Sequence, residues 1–375
     1  MIPWSSIFAI APDCHATNTG HYAGLWRAHF YEGISSAGAS VTTPEGIDYS
    51  WSYHSTLAPP AMDSQRARAS EQLRDQLLRA IDEKHIQVVI SYARSRQIDP
   101  ALVAEMEQRG IPWINFFCDS ISQFDEVREL AAVASLNWFP ESAAMEKYRA
   151  LHRPALCRAY ALNSGALPAV PHTFSNESKV GFVGLPSTNR VTLLSLLALM
   201  GCPLEIHGHG WEDAGSAAFG AHSSWRDKLR RAITEPHRLE RIWRRVGWKY
   251  LKNKTHGPLD GEGLRTFLGG CRIVLGLNDT RTPTGHLESY LKFRDIEMPA
   301  YGCCYLTQHN ADIAALLTPG KEVLTFKSVW EARSLIDFHK KRPQLCRDIG
   351  LAARKRILRE HTWSIRLREL QEVFM

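Results

Sequence analysis

The feature that most constrains this chain is a repeated alternation of short, continuously apolar runs with longer stretches of helical period. Ile7-Phe-Ala-Ile-Ala11 is the first run. A polar turn from Pro12 to His21 leads to a helical stretch with Trp26, Phe30, Gly33 and Ala37 at compatible spacing. Gly38 stops that helix, and a second apolar element follows around Val41. The logic repeats with a helix over 66–83, the run Gln87-Val-Val-Ile-Ser91, a helix from about Pro100 to Arg109 closed by Gly110, and Ile111 to Phe117. That last run ends in Cys118-Asp119-Ser120. Such alternation predicts an α/β fold built on a parallel, doubly wound sheet that takes ligands at the carboxyl ends of its strands. Asp119 and the loop holding His21 are expected to face one crevice.

At 375 residues the chain exceeds one ordinary core and suits two domains of roughly 150 to 200 residues each. Residues 163–178 have loop chemistry and no amphipathic period, which places a linker there. A second strand-loop-helix start follows: Val180-Gly-Phe-Val-Gly184, a polar loop ending in Asn189-Arg190, the apolar helix Val191 to Met200, then Leu204-Glu-Ile-His207 and Gly208-His209-Gly210-Trp211. Two Rossmann-like halves are thus expected, over 1–165 and 179–355. Residues 166–178 join them, and a terminal helix spans 356–375.

Composition is that of a soluble globular protein, with 44% hydrophobic and 22% charged residues. No apolar run approaches the roughly 18 residues a membrane helix needs, and the first residues lack a signal-peptide core, so a cytoplasmic protein is expected. The eight cysteines form no Cys-x-x-Cys pair, which fits reduced, buried thiols and argues against a structural metal. The formal charge is +6, yet 226–254 holds eleven Lys/Arg against three Asp/Glu, so the rest of the chain is slightly acidic. Within it, Leu239, Ile242, Trp243, Val246 and Tyr250 recur at helical spacing among basic residues. A helix over 238–252 of this kind either rests on an anionic membrane surface or packs its apolar stripe on the domain. The basicity belongs to one segment without a recognition motif, so no nucleic-acid partner is expected.

Near the end the chain reads Arg294-Asp-Ile-Glu297-Met-Pro299-Ala-Tyr-Gly302, downstream of the buried-strand run Ile273 to Leu277 and Asn278. A carboxylate on the first turn of a short helix past a strand lies beside free N–H groups, where a nucleotide-sugar can be gripped. The helix dipole alone also favours Glu there.

The order Phe182-Val-Gly184, Arg190, Gly208-His-Gly210-Trp211, Leu277-Asn278, Arg294 with Glu297 to Gly302, Pro319-Gly-Lys-Glu322 and His361-Thr-Trp363 resembles the CgeB-like (spore maturation protein) glycosyltransferases of GT-B fold. The resemblance covers about residues 80–370 and is strongest after Lys179. It implies two facing Rossmann-like domains with a cleft between them, an acceptor domain first and a nucleotide-sugar donor domain second, and a final helix crossing back to the first. It implies that Glu297 accepts hydrogen bonds from the ribose hydroxyls, as the second glutamate of a Glu-x7-Glu signature. Arg190 and Arg294 would bring positive charge to the diphosphate. His209, Asn278 and Glu322 complete the implied donor set. The first glutamate of the signature falls on Ser289, with Glu288 one residue off, which leaves the donor-sugar contact and the stereochemical outcome open.

The implied activity is transfer of a sugar from a nucleoside-diphosphate sugar to an acceptor hydroxyl on a glycan or lipid-linked acceptor. No Asp-x-Asp triplet occurs, and arginines with helix N–H groups can stabilise a leaving diphosphate, so neither a metal nor a bound cofactor is expected. The candidate bases are His21 and Asp119, whose alternatives are organising the loop or capping a helix for His21 and capping the helix from Ser120 for Asp119. Two other classes share these features: a non-catalytic nucleotide-sugar or polyanion-binding protein of the same fold, and a GT-B-shaped sugar-nucleotide epimerase.

Overall fold

The computed structural model describes residues 4–12, 24, 26–53, 59–168, 178–212, 246–281 and 287–375. The chain divides into two compact units, Met1–Pro168 with Ile357–Met375, and Ala169–Arg356.

The first unit is a six-stranded sheet of order β2-β1-β3-β4-β5-β6. The strands are β1 Ser6–Ile10, β2 Ser40–Thr42, β3 Val88–Tyr92, β4 Trp113–Phe116, β5 Leu136–Phe139 and β6 Ala155–Cys157, and every pairing is parallel. All five residues of β3 are buried, as a strand covered on both faces requires. The helix over Glu32–Ser36 (α1) follows one wide turn at Arg27–Tyr31, and the Tyr31 hydroxyl accepts from Ala11 N at 2.8 Å, just past β1. The helix Pro59–Lys84 (α2) starts earlier than its sequence pattern predicts, and turns Ala69, Leu73, Leu77 and Ala80 inward. Asp99 caps the helix Pro100–Gln108 (α3) by accepting from Ala101 N at 2.9 Å, with Pro100 at the first helical position.

The C-terminal helix Trp363–Glu372 belongs to this unit. Trp363 is buried edge-on against Phe30 and Trp138, and its Nε1–H donates to His29 O at 2.5 Å. Leu162 and Thr362 form a parallel bridge beside it.

The second unit is also a six-stranded sheet, of order β14-β13-β10-β7-β8-β9, parallel throughout. Its strands are β7 Val180–Val183, β8 Leu204–His207, β9 Thr255–His256, β10 Ile273–Gly276, β13 Tyr305–Gln308 and β14 Leu324–Phe326. A separate antiparallel pair, β11 Asp279–Arg281 and β12 Leu287–Ser289, follows β10. Helix Thr188–Leu199 (α4) starts at Ser187, whose side chain accepts from Arg190 N, and buries Val191, Leu194, Leu197 and Ala198. The chain runs outward from β7 to β8 and β9, then returns across β7 to β10 and on to β13. The strand order therefore reverses between β7 and β10, which makes their carboxyl ends the topological switch point of this sheet.

The basic segment is only partly described: Leu239, Ile242 and Trp243 lie outside the described residues. Residues 246–251 are helical, with Val246 and Tyr250 exposed, Leu251 buried and Trp248 packed on the core. The two described members of the apolar stripe thus face outward, and the packing face belongs to Trp248 and Leu251. Among the described residues no helix is long and apolar enough to cross a membrane.

Candidate functional site

The site grows from the switch point. At the end of β7, Gly184 holds φ of 154°, and a side chain there would lie 2.7 Å from the Arg294 guanidinium. Glycine is what lets that cation reach the strand end. Gly208, after β8, approaches still more closely: an added Cβ would sit 2.2 Å from Gly184 O. The Trp211 Nε1–H donates to the same carbonyl at 2.7 Å, which ties the two loops together.

Helix Arg294–Ala300 (α5) brings its first turn to both central strands. Arg294 lies over the Phe182 ring of β7, 5.3 Å from its centre, and Arg190 lies over the same ring at 5.8 Å. Asp295, the next residue, is fully buried at the end of β10 and β13. It accepts from Asn278 Nδ2 at 2.7 and 2.6 Å, Lys292 N at 2.7 Å, Tyr305 OH at 2.9 Å and Thr307 Oγ1 at 3.3 Å. Every partner is a donor, as an ionised carboxylate requires. Burial pushes the Asp295 carboxyl above its usual range, opposed by these hydrogen bonds and by the charge of Arg294. Asp295 is a structural hub that fixes α5 against two strand ends.

Glu297 is 9% exposed on the same helix. Burial raises its carboxyl from 4.5 to about 7, with Arg294 acting in the opposite direction. Near neutrality it therefore shifts readily between proton donor and acceptor. Arg294 Nη1 is buried without a hydrogen-bond partner among the described residues.

The structure sorts the sequence-based expectations. Arg190, Arg294 and Glu297 are brought to one edge of the second sheet. The Arg190 guanidinium also donates to Leu277 O at 3.0 Å and Leu185 O at 2.9 Å, so it braces the loop after β7 while keeping its charge. His209 is half-buried between Gly208 and Gly210 on this edge. Asn278 is buried, its amide nitrogen is turned onto Asp295, and its backbone N–H donates to Gln308 Oε1 at 2.8 Å. Its amide nitrogen is thus engaged with Asp295, while its Oδ1 is buried without a hydrogen-bond partner among the described residues. Glu322 departs from its expectation, because it precedes β14 and so lies at the amino end of a parallel strand, away from the carboxyl ends of the sheet. Its carboxylate accepts from Thr318 N at 2.8 Å and closes its own turn.

In the first unit, His21 lies outside the described residues. Asp119 follows β4 in a left-handed conformation with φ of 71°, and its side chain makes no helix cap, so the capping alternative does not hold. Its N–H donates to Glu141 Oε1 at 2.5 Å. β3 separates β4 from β1, so Asp119 and the loop after β1 share the carboxyl edge of the sheet without being on neighbouring strands.

Sequence reasoning missed Asp295 and Glu141, both fully buried carboxylates. Both are recognisable only from the tertiary structure: 295–300 are all buried, and a helix covered all round must find internal partners for its charged residues.

Two parallel sheets of this order, with arginines and a buried carboxylate at the switch point of the second, define a GT-B fold. Residues 190–372 match a family model described as Glycosyl transferase-like. Solved structures agree on the fold. Sucrose-phosphate synthase from Thermosynechococcus elongatus superposes with a TM-score of 0.58 at 9% identity over 98% of both chains. HepE from Anabaena, in complex with UDP and glucose, gives 0.55 at 11% identity over 98% of both chains. A glycosyltransferase from Rickettsia africae gives 0.55 at 11% identity, covering 100% of this chain and 98% of that one. No curated protein matches this chain by sequence.

Proposed function

We propose that this protein is a nucleotide-sugar glycosyltransferase, related to the CgeB-like group, that moves a sugar from a nucleoside diphosphate to an acceptor hydroxyl without a metal. The observation that carries the reading is the first turn of α5, which sets Arg294 at the end of β7 and Asp295 at the end of β10, on the two sides of the switch point. Crevices at that position are where open α/β sheets take nucleotides. In this reading Glu297 accepts from the ribose hydroxyls, and the Arg294 and Arg190 guanidinium groups stabilise charge on the departing diphosphate. Asp119 or His21 removes the acceptor proton. A related fold has been solved with UDP and with UDP-glucose, which makes uridine nucleotides the first probes.

The test is a thermal-shift titration with UDP and UDP-glucose beside release of UDP in the presence of acceptors. A ligand that binds only the native state raises its melting temperature with concentration. Glu297→Ala is expected to weaken UDP binding about tenfold or more, which corresponds to ~1.4 kcal/mol. Unchanged binding by the variant rejects the assignment of Glu297, and donor binding without any transfer favours a binding protein of the same fold.

The exposed Val246 and Tyr250, with Lys249 and Lys252 also exposed, support a second element of the proposal, a peripheral cytoplasmic position on an anionic membrane that carries a lipid-linked acceptor. Liposomes with and without anionic lipid test it. Equal co-sedimentation of wild type and Tyr250→Glu, or of both lipid types, rejects it.

A further inference from the structure

Two acids stand at the ends of the paired strands β4 and β5 in the first sheet, and neither serves the helical turn that it opens. Asp119 precedes the helix Ser120–Gln123 and Glu141 precedes the turn Ser142–Ala144, yet neither side chain accepts from its own turn. Elsewhere in the chain Asp99 and Asp260 hold the same position with φ of −69° and −76°, and both cap their helices. Asp119 differs in its backbone, with φ of 71° and ψ of 19° in the left-handed region, which Asp enters at a steric cost.

Glu141 supplies what holds it there. Its side chain is fully buried two residues past β5, and its Oε1 accepts from Asp119 N at 2.5 Å. That contact fixes the plane of the Cys118–Asp119 peptide and with it the left-handed conformation. Two further ties join the same loop to the helix Met145–Arg149 independently of Glu141. Ser120 Oγ and Tyr148 OH share a hydrogen bond of 2.9 Å, with the Tyr148 ring stacked 4.0 Å from Phe139 at the end of β5. Lys147 Nζ donates to Ser120 O at 3.1 Å and to Ile121 O at 2.7 Å. These ties place the helix Ser120–Gln123, whereas Glu141 sets the backbone of Asp119, and a buried carboxyl is a costly group to place beside one N–H. Asp119, half-buried, is thereby kept off its own helix and at the carboxyl edge of the sheet, where such sheets meet their ligands.

We propose that Glu141 is a positioning residue for Asp119, whose carboxylate is the base of the transfer reaction. The inference rests on the glycosyl-transfer reading and selects Asp119 as the proton acceptor within it. The acceptor oxygen bonds to the anomeric carbon of the sugar as the bond from that carbon to the diphosphate breaks. The electron pair leaves with the nucleoside diphosphate, and the hydroxyl proton passes to an Asp119 carboxylate oxygen. Glu141 touches neither sugar nor acceptor in this step; it sets the conformation from which Asp119 acts.

Release of nucleotide from UDP-glucose and GDP-mannose, with water or octyl glucoside as acceptor, tests this on wild type, Glu141→Ala, Glu141→Gln, Asp119→Ala and the variant carrying both alanines. Asp119→Ala is expected to lower kcat about a hundredfold. Glu141→Ala is expected to lower kcat about tenfold or more, with the donor KM within about twofold of wild type. Glu141→Gln keeps a side-chain carbonyl for the Asp119 N–H and should stay within about threefold of wild type. In the Asp119→Ala background, Glu141→Ala should lower the remaining rate by less than about twofold, because the two residues act as a unit. A purely structural role for Glu141 lowers the rate equally in both backgrounds, and that result overturns the inference. So do a wild-type kcat in Glu141→Ala and a Gln variant as slow as the Ala variant. If Glu141→Ala does not fold, Glu141→Asp, which withdraws the carboxylate by one methylene, takes its place in the same comparisons. A wild-type rate in Asp119→Ala overturns the inference and leaves the transfer reading standing, whereas a wild type that turns over none of the donors removes both.

Discussion

Replacing Glu297 with Gln removes one titrating group from a buried site and should flatten part of the pH dependence of the second unit's stability. Burial raises this carboxyl from 4.5 to about 7 in the native protein. Between those two values the native state keeps a proton that the unfolded chain has released, so the native state binds more protons and stability falls as pH rises. The contribution is complete below the unfolded value and lost above about pH 7. At 1.36 kcal/mol per pH unit the shift amounts to about 3 kcal/mol. Gln is a neutral near-isostere with no such loss, so its stability relative to wild type should improve by up to about 3 kcal/mol between pH 4.5 and pH 8. Urea unfolding read by hydrogen-exchange pulses on peptides from β7 and β10 reports on this unit alone. Parallel pH profiles for wild type and variant would refute the reasoning, because they would mean that Glu297 is ionised throughout. The same titration bears on function: if the ribose hydroxyls require the carboxylate, UDP binding should release a proton near neutral pH, visible as a dependence of calorimetric heat on buffer.

Asp295→Ala strands the Asn278 amide, the Tyr305 hydroxyl and the Thr307 hydroxyl in a buried place, and is expected to cost about 3 to 5 kcal/mol in urea unfolding. Gly208→Ala drives a methyl group into Gly184 O, so the two loops must separate; a cost of about 1 to 3 kcal/mol and weaker UDP binding should appear together, and normal UDP affinity would contradict the role given to this approach. Trp363→Ala removes a buried indole packed on Phe30 and Trp138 and should destabilise the first unit by about 3 to 5 kcal/mol, measured by exchange in peptides from β4 and β5.

Much of the architecture was legible because it is written in local patterns. Continuous apolar runs, helical periods and glycine stops gave both parallel sheets, and α3 came with its Pro100 start. The segment around Arg294 and Glu297 was legible for the same reason, as a charged first turn running into a Pro/Gly break. The partner of Asn278, the role of Asp295 and the place of Glu322 were not. Each depends on which strands lie side by side: Asp295 matters because β10 and β13 pair with Leu275 opposite Leu306, which brings Asn278, Tyr305 and Thr307 round one carboxylate. Glu322 falls at the wrong end of the sheet because β14 runs parallel to β13.

What the sequence by itself determined is the α/β class, its two halves, and a cation and a carboxylate one turn apart on a short helix, since period and spacing act over a few residues. The tertiary structure alone decided that this helix meets β7 and β10 at the strand-order reversal, and that burial holds Glu297 near neutral pKa. Burial and partnership are properties of surfaces assembled from segments distant in the chain, and no local pattern records them.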